Sequence, residues 1–106
     1  MRSDEALSTL VEVLEQIGDL VPEDKEAWDS QSVLRLAIER LWIVAGNVAE
    51  EYRRSKGIAP GVGPWAELVG YRNLLAHALP GDISSDRVWV DTDSDLSRIL
   101  GEVRAD

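Results

Sequence analysis

The segment from about Asp29 to Ser55 most limits the folds open to this chain. Val33, Leu34, Ala37, Ile38, Leu41, Trp42, Ala45, Val48, Ala49 and Tyr52 recur there at helical spacing. Wound as one helix, they cover more than half of its circumference. Such a helix lies centrally among other helices, or turns one face to the core and another to a partner. Gly46 sits in its middle and costs about 1 kcal/mol against alanine, which is tolerable where another helix must pass close by. Lys56-Gly57 ends it with a basic last turn and a C′ glycine.

Three further helical segments surround this one. The first spans about Ser3 to Leu20, with Ser3 as the expected N-cap, Asp4 and Glu5 at the positive end of the dipole, and Pro22 as the stop. Leu7, Leu10, Val11, Leu14 and Ile17 form its apolar stripe. The third begins at Pro64, after the Pro- and Gly-rich loop from Ile58 to Gly63, and stops at Pro80-Gly81. It turns Trp65, Leu68, Val69, Leu75 and Leu79 inward. The last begins near Ser84 or Ser85 and buries Val88, Thr92, Leu96, Ile99 and Val103. No strand pattern, internal repeat or low-complexity tract is present. The expected fold is all-α, an antiparallel four- to five-helix bundle, with residues 1–106 forming one domain.

Composition narrows the function. The chain has no cysteine, which excludes thiol nucleophiles and thiolate metal sites, and its one histidine argues against a zinc site within one chain. No metal and no cofactor are expected. No apolar run approaches the roughly 18 residues of a membrane span, and the N-terminus lacks a leader pattern, so a cytoplasmic location is expected. The net charge of −9 opposes nonspecific binding to nucleic acid. The charge is uneven, however: net −7 over residues 1–30, +2 over 31–77 and −4 over 78–106. Charge alone is compatible with an ordinary solvated surface, or with a local anion site in an acidic protein.

The stretch that is not acidic contains Tyr71-Arg72-Asn73-Leu74-Leu75-Ala76-His77 near the end of the third segment. A guanidinium presents a planar fork of donors to phosphoryl oxygens, and an imidazole moves protons near neutral pH. Asn73 and His77, four apart, share a helix face, whereas Arg72 lies about 140° round from His77 and reaches the same ligand only through its long stem. Each residue has a structural alternative. His77 suits the negative end of a helix dipole, Arg72 can bridge to Glu39 or Glu50, and Asn73 can cap or cross-link helices. Tyr71 is the best candidate for stacking on a base. Arg53, Arg54 and Lys56 form either a solvated helix end or a basic guide for RNA. Trp42 reads as core, Trp65 and Trp89 as core or interface, and Trp28 as a staple at a helix start.

Ala37-Ile38-Glu39-Arg40-Leu41-Trp42-Ile43-Val44-Ala45-Gly46, the segment Trp65 to His77 with its Gly-x-Arg-Asn-x-x-x-His string, and Val88-Trp89 together resemble the HepT-like family of HEPN domains over roughly residues 3–103. The resemblance implies a small helical homodimer. It implies a metal-independent endoribonuclease, the toxin of a type II toxin–antitoxin module whose partner is a minimal nucleotidyltransferase antitoxin. It also implies that Arg72, Asn73 and His77 act on an RNA substrate in a cleft shared by two copies. The chain departs from the family pattern twice: Asn47 replaces an acid after the helix-two glycine, and Leu79 replaces the tyrosine to which the partner attaches AMP. These departures keep an alternative open, a non-catalytic HEPN module that binds a nucleotide or a partner protein. A third reading is a plain helical-bundle interaction subunit.

Overall fold

The computed structural model describes residues 1–77 and 84–106. Five helices account for most of them: α1 (Ser3–Leu20), α2 (Lys25–Ser30), α3 (Ser32–Lys56), α4 (Gly63–His77) and α5 (Ser85–Arg104). No strand occurs among the described residues. The helical bundle expected from the periodicity is present. The expected stop at Pro80-Gly81 and the inward turn of Leu79 lie outside the described residues.

The long helix is central, with α1 on one side and α4 on the other; α2 and α5 close the bundle. Ile38, Trp42, Ala45, Gly46, Ala49 and Tyr52 are its buried residues. Its end follows the local signal. Gly57 takes φ 69°, its N–H bonds to the Arg53 and Arg54 carbonyls, and Ile58 N–H returns to the Arg53 carbonyl, so the last orphan carbonyls are satisfied. In α5, Ser84 caps the start by accepting from Arg87 N, and Val88, Thr92, Leu96, Ile99 and Val103 are buried as their spacing requires.

Three local expectations need correction. The N-cap of α1 is Arg2, with Ser3 already inside the helix and no side-chain cap. The buried stripe of α1 is Ala6, Leu10, Val13, Leu14 and Ile17, with Leu7 and Val11 half-buried. This helix packs against both α3 and α5, so its buried arc is turned from the one that the leucines alone mark. The third correction is α2. No proline or glycine separates it from α3, yet the chain breaks at Gln31. Asp24 caps α2 by accepting from Ala27 N at 2.8 Å. Trp28 is fully buried, its Nε1 donates to the Ser85 carbonyl at 3.1 Å, and its ring lies 5.5 Å from that of Trp89. Trp28 is therefore a core anchor rather than a staple. Burial of a whole indole with its N–H satisfied outweighs one continuous helical turn.

Helices α3 and α4 form an antiparallel hairpin. Tyr52 packs at a tilt on Trp65 at 4.6 Å near the loop, and Trp42 meets Tyr71 edge-on at 5.4 Å further along. Gly46 is where the two backbones touch. A Cβ on Gly46 would lie 2.7 Å from the Leu68 carbonyl oxygen and 3.1 Å from Arg72 Cγ, and would overlap Arg72 Cβ. The mid-helix glycine of α3 thus admits the passing helix that its presence suggested. A second polar tie crosses the core: Trp42 Nε1 donates to Thr92 Oγ1 at 3.0 Å, and that hydroxyl donates to the Val88 carbonyl at 2.8 Å.

Candidate anion site at the α3–α4 crossing

The contact at Gly46 sets the position of Arg72. Because α4 lies directly on α3 there, the side chain of Arg72 leaves the interface beside Asn47, the residue after the glycine. Arg72 Nη1 donates to Asn47 Oδ1 at 3.3 Å. Its Nε and Nη2 both donate to Asn73 Oδ1, at 3.1 and 2.8 Å. The guanidinium is held between two amide oxygens. None of the ion pairs among the described residues involves it. An amide oxygen orients an arginine without cancelling its charge, and among the described residues two of the five N–H donors are not engaged. The bridge to Glu39 or Glu50 is absent. Glu50 is engaged by Arg53 and Arg54 on its own helix instead.

Asn73 and His77 lie one turn apart on the exposed side of α4, and His77 is its last residue. The structure therefore joins Arg72 to Asn73 by hydrogen bonds and leaves His77 one turn further along the same face. In the antiparallel hairpin, α4 runs back towards the first half of α3, which carries Val33 and Leu36. Both are well exposed, at 79% and 65%. Asn47 is the functional candidate that sequence reasoning undervalued. Its signal was its place next to Gly46, because a residue beside a helix crossing touches whatever emerges from that crossing.

Two proposed RNA contacts change character. Tyr71 points inward. Its ring packs on Trp42, and its hydroxyl is buried with no hydrogen-bond partner among the described residues. Asp91 faces that hydroxyl without reaching hydrogen-bond geometry; burial, reinforced by this carboxylate, pushes the Tyr71 pKa up. Arg53 is also committed. It donates to both oxygens of Glu50, at 3.1 and 2.9 Å, and to the Ile58 carbonyl at 2.7 Å, clamping the loop that follows α3. Its guanidinium holds the Glu50 carboxyl down to about 2, so the acid stays ionised. Arg54 shares Glu50 but remains exposed, as does Lys56.

Comparison of the chain with protein-family models, with curated proteins and with solved structures finds no match. Among the described residues no three histidine, aspartate or glutamate side chains gather to hold a metal ion. No helix of the described residues is long and apolar enough to cross a membrane. Leu79, at the position of the resembled family's tyrosine, lies outside the described residues.

Proposed function

We propose that the protein is a metal-independent endoribonuclease of the HEPN type, the toxin of a type II toxin–antitoxin module, acting in the cytoplasm as a homodimer. The observation that carries this reading is the guanidinium of Arg72, oriented by Asn47 and Asn73 with no carboxylate paired to it among the described residues. Such a group is prepared for a phosphate, and His77 stands one turn beyond Asn73 on the same helix face. The resemblance of the Gly-x-Arg-Asn-x-x-x-His string supports the same chemistry.

Cleavage of RNA by its own 2′-hydroxyl needs a base, an acid and cations around the phosphorane. One copy offers one imidazole. A two-fold pair that apposes the ends of α4 offers two imidazoles and two guanidinium groups. The exposed Val33 and Leu36, in the first two turns of α3, are the apolar surface that such a mate would cover. In this scheme one His77 takes the proton of the 2′-hydroxyl, whose oxygen attacks phosphorus. The second His77 protonates the departing 5′-oxygen as the P–O5′ bond breaks. The two Arg72 side chains hold the phosphoryl oxygens. The products are a 2′,3′-cyclic phosphate and a free 5′-hydroxyl. The antitoxin in this reading is a minimal nucleotidyltransferase, although Leu79 has no hydroxyl to accept AMP.

Expression of wild type should arrest growth, whereas His77→Ala and Arg72→Ala should not. Purified wild type should leave RNA ends with 2′,3′-cyclic phosphate in the presence of chelator. Equal cleavage by His77→Ala and wild type would overturn the catalytic assignment. Growth arrest without cleavage would favour the non-catalytic binding module, a reading that the amide at position 47 also suits.

A further inference from the structure

A groove of about 370 Å³ lies between the second half of α3, the Pro60-Gly61 loop and α4, and Asn73 forms one of its walls. Its volume is within the roughly 300–1,000 Å³ usual for small-molecule clefts. Trp65 and Val69 supply apolar walls, Gly70 leaves bare backbone, and Glu50 supplies a carboxylate. Ala66, Gly70, Asn73 and His77 follow at spacings of four, three and four, so the groove runs along the same side of α4 as the candidate site.

Two details make this groove more than an irregular surface. The first is Gly70. Gly46 is required by the crossing of two helices, but a Cβ on Gly70 would meet nothing within 4 Å. Nothing among the described residues requires glycine there, although mid-helix glycine is unfavourable by about 1 kcal/mol relative to alanine. Its effect is to let a flat group lie against the helix backbone. The second is the supply of hydrogen bonds. Asn73 Oδ1 is taken by Arg72, which leaves its Nδ2 donors for a ligand acceptor. Glu50 Oε1 accepts from both Arg53 and Arg54, whereas Oε2 accepts a single bond, from Arg53 Nε, and retains acceptor capacity.

We infer that this groove is a base-binding subsite for a nucleobase carrying an exocyclic amino group. The amino group donates to Glu50 Oε2, a ring nitrogen or carbonyl accepts from Asn73 Nδ2, and the ring lies against Gly70 and Val69. The inference rests on the reading that Arg72 holds a phosphate, since Asn73 touches both the groove and that guanidinium.

The test is titration of the full-length chain with 3′-CMP, 3′-UMP and inorganic phosphate, followed by amide NMR shifts. Gly70→Leu is the filling variant. Leucine favours a helix over glycine, and its Cβ meets open space, so the fold is retained. Wild type should bind 3′-CMP at least about tenfold more tightly than inorganic phosphate, with 3′-UMP between them. Gly70→Leu should reduce 3′-CMP affinity to the phosphate level while leaving phosphate affinity unchanged. Retention of 3′-CMP affinity within about twofold in Gly70→Leu overturns the inference, as does equal binding of 3′-CMP and 3′-UMP by wild type. The two readings fail separately. RNA cleavage that is His77-dependent but has the same base preference in Gly70→Leu removes the groove and spares the nuclease. Amine-selective binding of 3′-CMP by a protein that cleaves no RNA removes the nuclease and spares the groove.

Discussion

Gly46→Ala pits two opposite effects against each other, and the structure decides between them. In an isolated helix the change stabilises by about 1 kcal/mol, because glycine is the poorer helix former. In this protein the new methyl group would overlap Arg72 Cβ and sit 2.7 Å from the Leu68 carbonyl oxygen. Neither atom moves out of the way by a rotamer change, so α4 has to lift from α3. Overpacking of this kind costs about 1–3 kcal/mol, and rigid backbone neighbours place it at the upper end. Set against the helix gain, the net loss is about 2 kcal/mol. For a domain of this size that lowers the Tm by about 10 °C. Gly70→Ala is the matched control on the facing helix. Nothing lies within 4 Å of its Cβ, so only the helix term acts, and its Tm should rise by about 4 °C. Thermal unfolding followed by circular dichroism at 222 nm measures both. If Gly46→Ala melts at or above the wild-type temperature, the close approach that positions Arg72 does not exist in solution.

Two further outcomes follow from the core and from the α3 ion-pair cluster. Thr92→Val keeps the shape of the side chain but leaves the buried Trp42 N–H without its acceptor, so the urea midpoint should fall by the equivalent of about 1–3 kcal/mol; an unchanged midpoint would show that water reaches that indole. Glu50→Gln tests the pairing with Arg53. The folded-state value of Glu50, about 2, lies below that of an ordinary carboxylate, so its stabilising contribution is complete above about pH 5 and fades as the pH falls through 2. The Tm gap between wild type and Glu50→Gln should therefore be widest near neutrality and close on acidification, and a gap independent of pH would refute the pairing.

The elements that were legible in the sequence share a physical basis. The stop of α1 before Pro22, the Gly57 cap and the buried stripe of α5 depend on residues within one or two turns of each other. The short helix α2 was not legible because its break at Gln31 carries no local punctuation. It follows from Trp28 seating against α5, more than fifty residues away in sequence. Tyr71 illustrates the same limit. Next to Arg72 it looks outward-facing, but neighbours on a helix diverge by about 100°, and the ring belongs to Trp42. Glu50 shows the converse. Its partners Arg53 and Arg54, at i+3 and i+4, were readable from helix spacing, and they displace the longer-range bridge to Arg72.

From the chain alone came an all-helical bundle, a long central helix, a glycine marking a close approach, and an Arg-Asn-His string at the end of the helix after it. Periodicity, capping and charge placement are short-range properties and can be read residue by residue. Only the tertiary structure decided which side chains meet across that approach. The register of α4 on α3 sets the Arg72 guanidinium between Asn47 and Asn73, turns Tyr71 inward and opens the groove beside Gly70. Contact between two helices is settled by where their backbones can come closest, a property of the pair that neither sequence segment carries by itself.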